Sequence, residues 1–147
     1  MSTTTPATLT PSIVGQAEKH HTAVLARALA GTTLDEKQWI TLNQAVAAGQ
    51  PVERAGHTAR VAGMTQWNLA DVDHAVVALL DAGLLRTVTD GRLAVTDAGT
   101  ALTAEVRADS GAIVQAAYGA VTPEDLATAA RVLATITTRM AEELARA

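Results

Sequence analysis

The chain has 147 residues, of which 48% are hydrophobic and 18% are charged, and this composition excludes an intrinsically disordered polypeptide. The absence of cysteine excludes a disulfide framework, a thiol nucleophile and a cysteine-ligated zinc or iron–sulfur site. A formal net charge of −4 excludes attraction of nucleic acid by the field of the whole protein, so contacts with DNA would need locally placed groups.

The N-terminal residues carry no targeting or membrane signal. Residues 1–10 are rich in threonine, uncharged and without periodicity, so we expect a flexible tail. They lack the basic and apolar segments of a signal peptide, and no stretch of the chain approaches the about 20 apolar residues of a membrane span. We therefore expect a cytoplasmic protein without a membrane partner, folded as a single domain over residues 11–147.

The first two predicted elements are helices. Apolar residues recur at intervals of three and four over 11–31, which indicates an amphipathic helix. Gly31 suits the left-handed residue that ends such a helix. Thr33 and Glu36 have the spacing of a capping box, so a second helix is expected to begin beside them and to run to Gly49.

Two further helices are predicted before the middle of the chain. Pro51 suits the first turn of a short third helix that Gly63 would stop. The expected inner face of this helix contains Val52, Ala55, Ala59 and Ala62. A fourth helix ends at Gly83 and begins at one of two capping residues, Thr65 or Asn68, between which the sequence does not choose.

A β-hairpin is predicted after the fourth helix. Asp90 and Gly91 lie between the segments 86–89 and 92–95, and this dipeptide favours a two-residue type I′ turn. The expected cross-strand pairs are Val88 with Leu93 and Arg86 with Val95. Thr89 and Arg92 would then point away from the packed face of the ribbon.

The last part of the chain is predicted to be helical. Thr96 is expected to cap a fifth helix in which Gly111 favours a bend, and Thr122 followed by Pro123 starts a sixth. The sixth helix is expected to bury an apolar stripe of Leu126, Ala129, Leu133, Ile136, Met140 and Leu144. Because alanine dominates the apolar residues and only two Trp and one Tyr are aromatic, we expect a second copy of the chain to complete a thin core.

Three helices followed by a hairpin are the order of a winged helix. The segments 34–39, 79–85, 90–92 and 95–99, which read LDEKQW, LLDAGLL, DGR and VTDAG, resemble successive landmarks of the MarR family of bacterial transcriptional regulators. The resemblance implies a mainly α fold: a winged helix-turn-helix with long N- and C-terminal dimerisation helices and one short β-hairpin wing. It divides the chain into a dimerisation helix over 11–31, a DNA-binding module over 33–95 and C-terminal dimerisation helices over 96–147.

The resemblance also implies an obligate homodimer that binds double-stranded DNA at a pseudo-palindromic operator. The expected DNA-binding residues are Arg92, Thr89, Arg86, Gln66, Asn68, His74 and Arg60. Amide side chains can pair with adenine, and a wing arginine suits the minor groove. Asp71 and Asp73 on the fourth helix would repel phosphates, so the alternative is a solvated helix in a protein that has lost DNA binding.

Three side chains suggest a small-molecule effector site between the first, second and fifth helices. His20, His21 and Trp39 are among the few large polar or aromatic residues in an alanine-rich chain, and they suit a planar aromatic or anionic effector. The alternatives are histidines in the core or the interface, or on the plain surface. Because adjacent histidines on a helix diverge by about 100°, we expect no metal site.

Catalytic patterns are missing from the sequence. It contains no glycine-rich phosphate loop, no nucleophile elbow and no triad with metal-ligand spacing, so we expect neither an enzyme nor a cofactor. The function expected is that of a dimeric DNA-binding regulator, a repressor, modulated by an effector. The alternative is a ligand-binding or protein-interaction module on the same scaffold with weak or lost DNA binding.

Overall fold

The computed structural model describes residues 7–147, so residues 1–6 of the expected tail lie outside the described part. The helices are α1 (Pro11–Leu29), α2 (Glu36–Ala48), α3 (Arg54–Thr65), α4 (Leu69–Asp81), α5 (Asp97–Tyr118) and α6 (Pro123–Arg146). The strands β1 (Leu85–Thr87) and β2 (Leu93–Val95) form an antiparallel hairpin between α4 and α5. The predicted fold class, a mainly helical winged helix-turn-helix, is confirmed. The chain divides into two compact units, one ending at Ser110 and one comprising Gly111–Ala147.

The junction between α1 and α2 differs from the prediction. Helix α1 ends before Gly31, at a right-handed Ala30, so the predicted left-handed glycine cap is wrong. The capping box of α2 is formed by Asp35 and Gln38 rather than by Thr33 and Glu36. The Asp35 carboxylate accepts the Gln38 backbone N–H at 2.8 Å, and the Gln38 side chain accepts the Asp35 N–H at 3.1 Å.

Helix α3 begins and ends later than predicted. Its N-cap is Glu53, and its C-cap is Gln66 in the left-handed region rather than Gly63. The buried face was also predicted wrongly, because it contains His57, Thr58, Val61 and Ala62 while Ala55 and Ala59 are exposed. Val52 precedes the helix and forms a β-bridge with Leu93.

Asn68 is the N-cap of α4, which decides between the two predicted starts. Its side-chain oxygen accepts the Asp71 backbone N–H at 2.8 Å. The Thr65 hydroxyl instead donates to the Val61 carbonyl inside α3. The turn between α3 and α4 therefore comprises only residues 66–68, as suits a helix-turn-helix.

The hairpin register is one residue away from the prediction. Leu93 pairs with Thr87 instead of Val88, and Arg86 pairs with Ala94 instead of Val95. The connection is not the predicted two-residue turn, because five residues, 88–92, separate the strands; they include the 3₁₀ turn Thr89–Gly91, in which both Asp90 and Gly91 have positive φ as predicted. This register places Leu85 in the core, where it is fully buried with Leu93. A slip of one residue turns the other side of a strand inward, so burial of Leu85 fixes the pairing.

The first unit has a small aliphatic core. Its fully buried large side chains include Leu42 of α2, Leu79 of α4, Leu85 and Leu93 of the hairpin, and Val106 of α5. A second buried cluster joins Val61 and Ala62 of α3 to Val72 of α4. Buried hydroxyls such as those of Thr41 and Thr103 donate to carbonyls four residues earlier in their own helices. The two buried clusters hold α2, α3, α4 and the hairpin together.

Helix α5 starts where the hairpin ends. The Thr96 hydroxyl accepts the Gly99 N–H at 3.0 Å and donates to the Gly83 carbonyl at 2.7 Å, so the predicted cap is confirmed. Gly99 is buried directly against the backbone of Leu84. A side chain at this position has no room, and the hairpin and helix approach each other through the glycine.

The second unit contains α6. Its N-cap is Thr122, whose hydroxyl accepts the Asp125 N–H at 3.2 Å, and Pro123 occupies the first turn as predicted. The apolar stripe of α6 is present at helical spacing and is not buried within the single chain, so its predicted burial against a second copy stays a prediction. Leu133 and Ile136 are each 39% exposed. Within residues 7–147 no helix is long and apolar enough to cross a membrane.

Candidate functional site

The helix-turn-helix places two of the expected DNA-binding residues in its turn. Gln66 caps the end of α3 in the left-handed region, and its side-chain N–H donates to the Gly63 carbonyl at 2.6 Å. The Asn68 side-chain oxygen caps α4. Both amides therefore already bond to the backbone, which holds the short turn rigid.

The outward face of α4 is formed by Leu69, Ala70, His74, Val77 and Asp81, all exposed. His74, another expected DNA-binding residue, lies in the middle of this face. The Asp73 carboxylate lies beside it and accepts from the Arg54 guanidinium of α3 at 3.0 Å. This surface ion pair joins the two helices and neutralises one of the acidic groups that would repel phosphates.

The expected wing residues are solvent-exposed. Thr89 begins the three-residue turn, Arg86 lies on β1 and Arg92 immediately precedes β2. Arg92 also borders a cleft of about 300 Å³ that is lined by His57 and Arg60 of α3 and by Glu53. The fold thus brings together Arg60 and Arg92, which the sequence placed in different elements.

His57 fixes the position of Arg60. Unlike Arg60, His57 was not among the site residues predicted from the sequence. Its ring is 2% exposed, and Nε2 donates to the Thr41 carbonyl of α2 at 3.0 Å. This tautomer leaves Nδ1 to accept from the Arg60 guanidinium at 3.1 Å. The signal in the sequence was the position of His57 four residues before Val61, on the same helical face.

Burial of the His57 ring lowers its pKa, and the positive charge of Arg60 adds to this effect, while the hydrogen bond to Thr41 opposes it. The unfolded chain, in which the histidine pKa is about 6.5, therefore binds the proton more readily. The contribution of neutral His57 to stability is complete above that pH and is lost as the pH falls below it. We expect the urea midpoint to decrease between pH 7.5 and 5.

The His57→Gln variant should flatten this pH dependence, because glutamine can donate to the Thr41 carbonyl without titrating. Urea unfolding followed by circular dichroism at several pH values measures the effect. The matched control is His74→Gln, which removes an exposed imidazole. An equally steep pH dependence in His57→Gln would contradict the assignment.

The expected effector residues are not brought into one pocket. His20 and His21 are exposed on α1, and the Nδ1 atom of each lies 2.7 Å from the carbonyl oxygen four residues earlier. Trp39 of α2 is 7% exposed and belongs to the main core. The structure instead forms a cleft of about 410 Å³ between α1 and the start of α2. Its lining includes Thr22, Leu25, Ala26, Leu29, Leu34 and Glu36.

No protein-family model matches the chain, and no curated protein matches its sequence. Solved structures do match it. A MarR-family transcriptional regulator from Rhodococcus sp. RHA1 aligns with a TM-score of 0.70 at 18% identity, over 84% of this chain and 90% of its own. A MarR-family protein from Mycobacterium tuberculosis, in complex with p-aminosalicylic acid, aligns with a TM-score of 0.67 at 15% identity, over 88% and 99%. The chain has the MarR-family fold.

A third structure with this fold is a probable transcriptional regulator from Pseudomonas aeruginosa, with a TM-score of 0.62 at 25% identity, over 84% of this chain and 93% of its own. In the MarR-like fold of the present chain, α3 and α4 form the helix-turn-helix and the β1–β2 hairpin forms the wing. Among the side chains of residues 7–147, no group of three or more His, Asp or Glu could hold a metal ion.

Proposed function

We propose that this protein is a homodimeric, DNA-binding transcriptional repressor that recognises a pseudo-palindromic operator and responds to a small organic effector. The observation that carries the proposal is a helix-turn-helix followed by a wing that exposes Arg92. Two such modules in a dimer would present their recognition helices about 34 Å apart, one turn of DNA.

The basic groups proposed to contact DNA are few and local. Arg60 and Arg92 border one cleft, and in the described part of the chain neither guanidinium forms an ion pair with a carboxylate. Arg86 adds a third exposed charge on β1. Phosphate contacts supply affinity without sequence preference, so these residues would position α4 and Thr89 of the wing on the duplex.

Apolar side chains left exposed on α1 and α6 support the proposed dimer. Ile13 and Val14 of α1 are exposed, as are Leu133, Ile136 and Met140 of α6. In a single chain each of these two apolar faces is exposed to water, which is unfavourable for side chains of this size. A second copy of the chain would cover the exposed faces of both helices.

The cleft between α1 and α2 supports the proposed effector site. Its volume of about 410 Å³ suits a small aromatic ligand, and its lining combines leucine and alanine side chains with Thr22 and Glu36. The M. tuberculosis protein with this fold was solved with an aromatic acid bound. His20 and His21 lie on the exposed surface of the same helix, α1, from which they could reach a larger ligand.

Replacement of Arg92 by alanine tests DNA binding. In a gel shift with the upstream region of its own gene and competitor DNA, the wild-type chain should form a specific complex. Arg92→Ala should weaken it about tenfold or more, because each copy loses one phosphate or groove contact. The slope of log affinity against log salt should fall by about two for the dimer.

The matched control is Arg27→Ala, which removes an exposed charge from α1 and should leave the salt slope unchanged. A second candidate function, an interaction module without DNA activity, is favoured by one observation: α4 contains Asp71, Asp73 and Asp81 but neither lysine nor arginine. A folded wild-type chain that shifts no genomic fragment at low salt would support this second function and refute the first.

A further inference from the structure

Helix α4, the recognition helix of the proposed function, lacks the side chains that usually bind phosphates. Helix α4, Leu69–Asp81, contains neither lysine nor arginine. Its outward side chains at the start are Leu69, which is 57% exposed, and Ala70. His74 and Val77 continue the row of Ala70 at intervals of four and three residues, on one face of the helix.

Several polar groups near the start of α4 are already engaged. The Asn68 oxygen, which would accept from the amino group of adenine, accepts the Asp71 N–H instead. The Gln66 amide donates to the Gly63 carbonyl, and Asp73 pairs with Arg54. His74 and the Asp71 carboxylate are left on this part of α4 for hydrogen bonds to bases, and a carboxylate is repelled by the neighbouring phosphates.

The exposed start of α4 continues into an apolar groove. Its lining contains Leu69 and Ala70 of α4 and Ala55, Thr58 and Ala59 of α3, together with Glu53 and the ion-paired Arg54 and Asp73, and its volume is about 590 Å³. The leucine and alanine side chains present only methyl, methylene and methine groups. In the major groove, the base feature that matches such a surface is the C5 methyl group of thymine, which small apolar side chains contact.

We propose that α4 reads its half-site by apolar contact of Leu69 and Ala70 with thymine methyl groups, so that the operator of this protein is rich in thymine where the start of α4 enters the major groove. The inference rests on the proposed DNA binding. In this proposal, specificity for the DNA sequence comes from apolar contacts of α4. Affinity for the DNA backbone comes from Arg60 and Arg92, which lie outside that helix.

The test begins with selection of bound sequences from a random double-stranded library by the full chain at low salt. Each thymine of the enriched half-site is then replaced by deoxyuridine, which removes only the C5 methyl group. Fluorescence anisotropy should show about a fourfold loss of affinity for each methyl group contacted, because one buried methyl is worth about 0.8 kcal/mol. Replacement of a thymine outside the enriched half-sites is the DNA control.

Two protein variants complete the experiment. Leu69→Ala should weaken binding to the thymine site and reduce the difference between thymine and uracil sites, since the contact is then already lost. Arg92→Ala should weaken both sites by the same factor. Equal affinity of the wild-type chain for thymine and uracil sites, or an enriched half-site without thymine, would overturn the inference and leave DNA binding intact. Failure to enrich any sequence would refute the proposed function itself.

Discussion

Leu133→Asp in α6 is expected to abolish dimerisation. The side chain lies in the exposed apolar stripe of the helix, beside Ile136, and the proposed dimer would bury it against the second copy. An unpaired carboxylate buried there costs about 3–5 kcal/mol, so the dimer dissociation constant should rise by roughly a hundredfold to several thousandfold. Sedimentation equilibrium at micromolar concentration measures the change, and circular dichroism reports whether the chain stays folded.

Thr138→Asp is the matched control for that experiment. It introduces the same charge into the same helix, on the side away from the stripe, and should leave the dimer intact. The Ile136→Ala variant covers the case in which aspartate unfolds the chain, because it removes apolar area without adding charge and should weaken the dimer more moderately. A wild-type chain that sediments as a stable, folded monomer at micromolar concentration would contradict the proposed dimer.

Gly99→Ala is expected to lower the free energy of unfolding by about 1–3 kcal/mol, the cost of overpacking a filled site. A Cβ atom at Gly99 would collide with the Leu84 carbonyl oxygen and would lie 2.9 Å from Cγ1 of Val95. Both neighbours belong to the segment that carries the hairpin, and a backbone carbonyl cannot move aside as a side chain can. The loss should appear as a melting temperature lower by roughly 3–10 °C at fixed protein concentration.

Substitution of Gly63 by alanine is expected to raise, rather than lower, the free energy of unfolding. This residue is in the interior of α3, and a Cβ atom there would meet nothing within 4 Å. Gly63→Ala should therefore stabilise the chain by about 0.5–1 kcal/mol through helix propensity alone. A destabilised Gly63→Ala variant, or a Gly99→Ala variant with the stability of the wild type, would show that contacts at these glycines do not control the outcome.

The helix starts that the sequence predicted correctly share one property: the capping hydroxyl or amide acts within three residues. Thr96 and Thr122 each accept a backbone N–H three residues further along, as does Asn68, which was one of the two starts left open for α4. Such caps depend on local sequence only, and local sequence is available without the fold. The predicted end of α2 at Gly49 is likewise confirmed, and Gly49 adopts the left-handed conformation with φ of 71°.

The elements that were predicted wrongly depend on distant contacts. Two capping patterns overlap before α2, and the helix begins after Leu34 because that side chain is buried in the same cluster as Trp39. The two residues flank the first turn in the arrangement of a hydrophobic staple. The hairpin register depends on burial of Leu85. Val52 was predicted to lie in the third helix, but it precedes that helix and pairs with Leu93.

The residues of the candidate site show the same contrast between features set by local sequence and features set by distant contacts. Exposure of Arg92, Thr89 and His74 could be expected from their place in a winged helix, and the structure agrees. The hydrogen bond from His57 to the Thr41 carbonyl of α2 and the cleft shared by Arg60 and Arg92 join elements that are separate in the chain. No periodicity within one helix could reveal them, because a sequence pattern describes one element at a time.

An isolated β-bridge between Val52 and Leu93 joins a third backbone segment to the base of the wing. Leu93 exchanges two backbone hydrogen bonds with Val52, of 2.8 and 2.9 Å, and also pairs with Thr87 on its other side. The residue before it, Arg92, is thus attached to backbone that is fixed from both sides, although its side chain is in water. Less configurational entropy would then be lost in the proposed complex with DNA, and hydrogen exchange should be slow at Leu93 and fast at the tip, Thr89–Gly91.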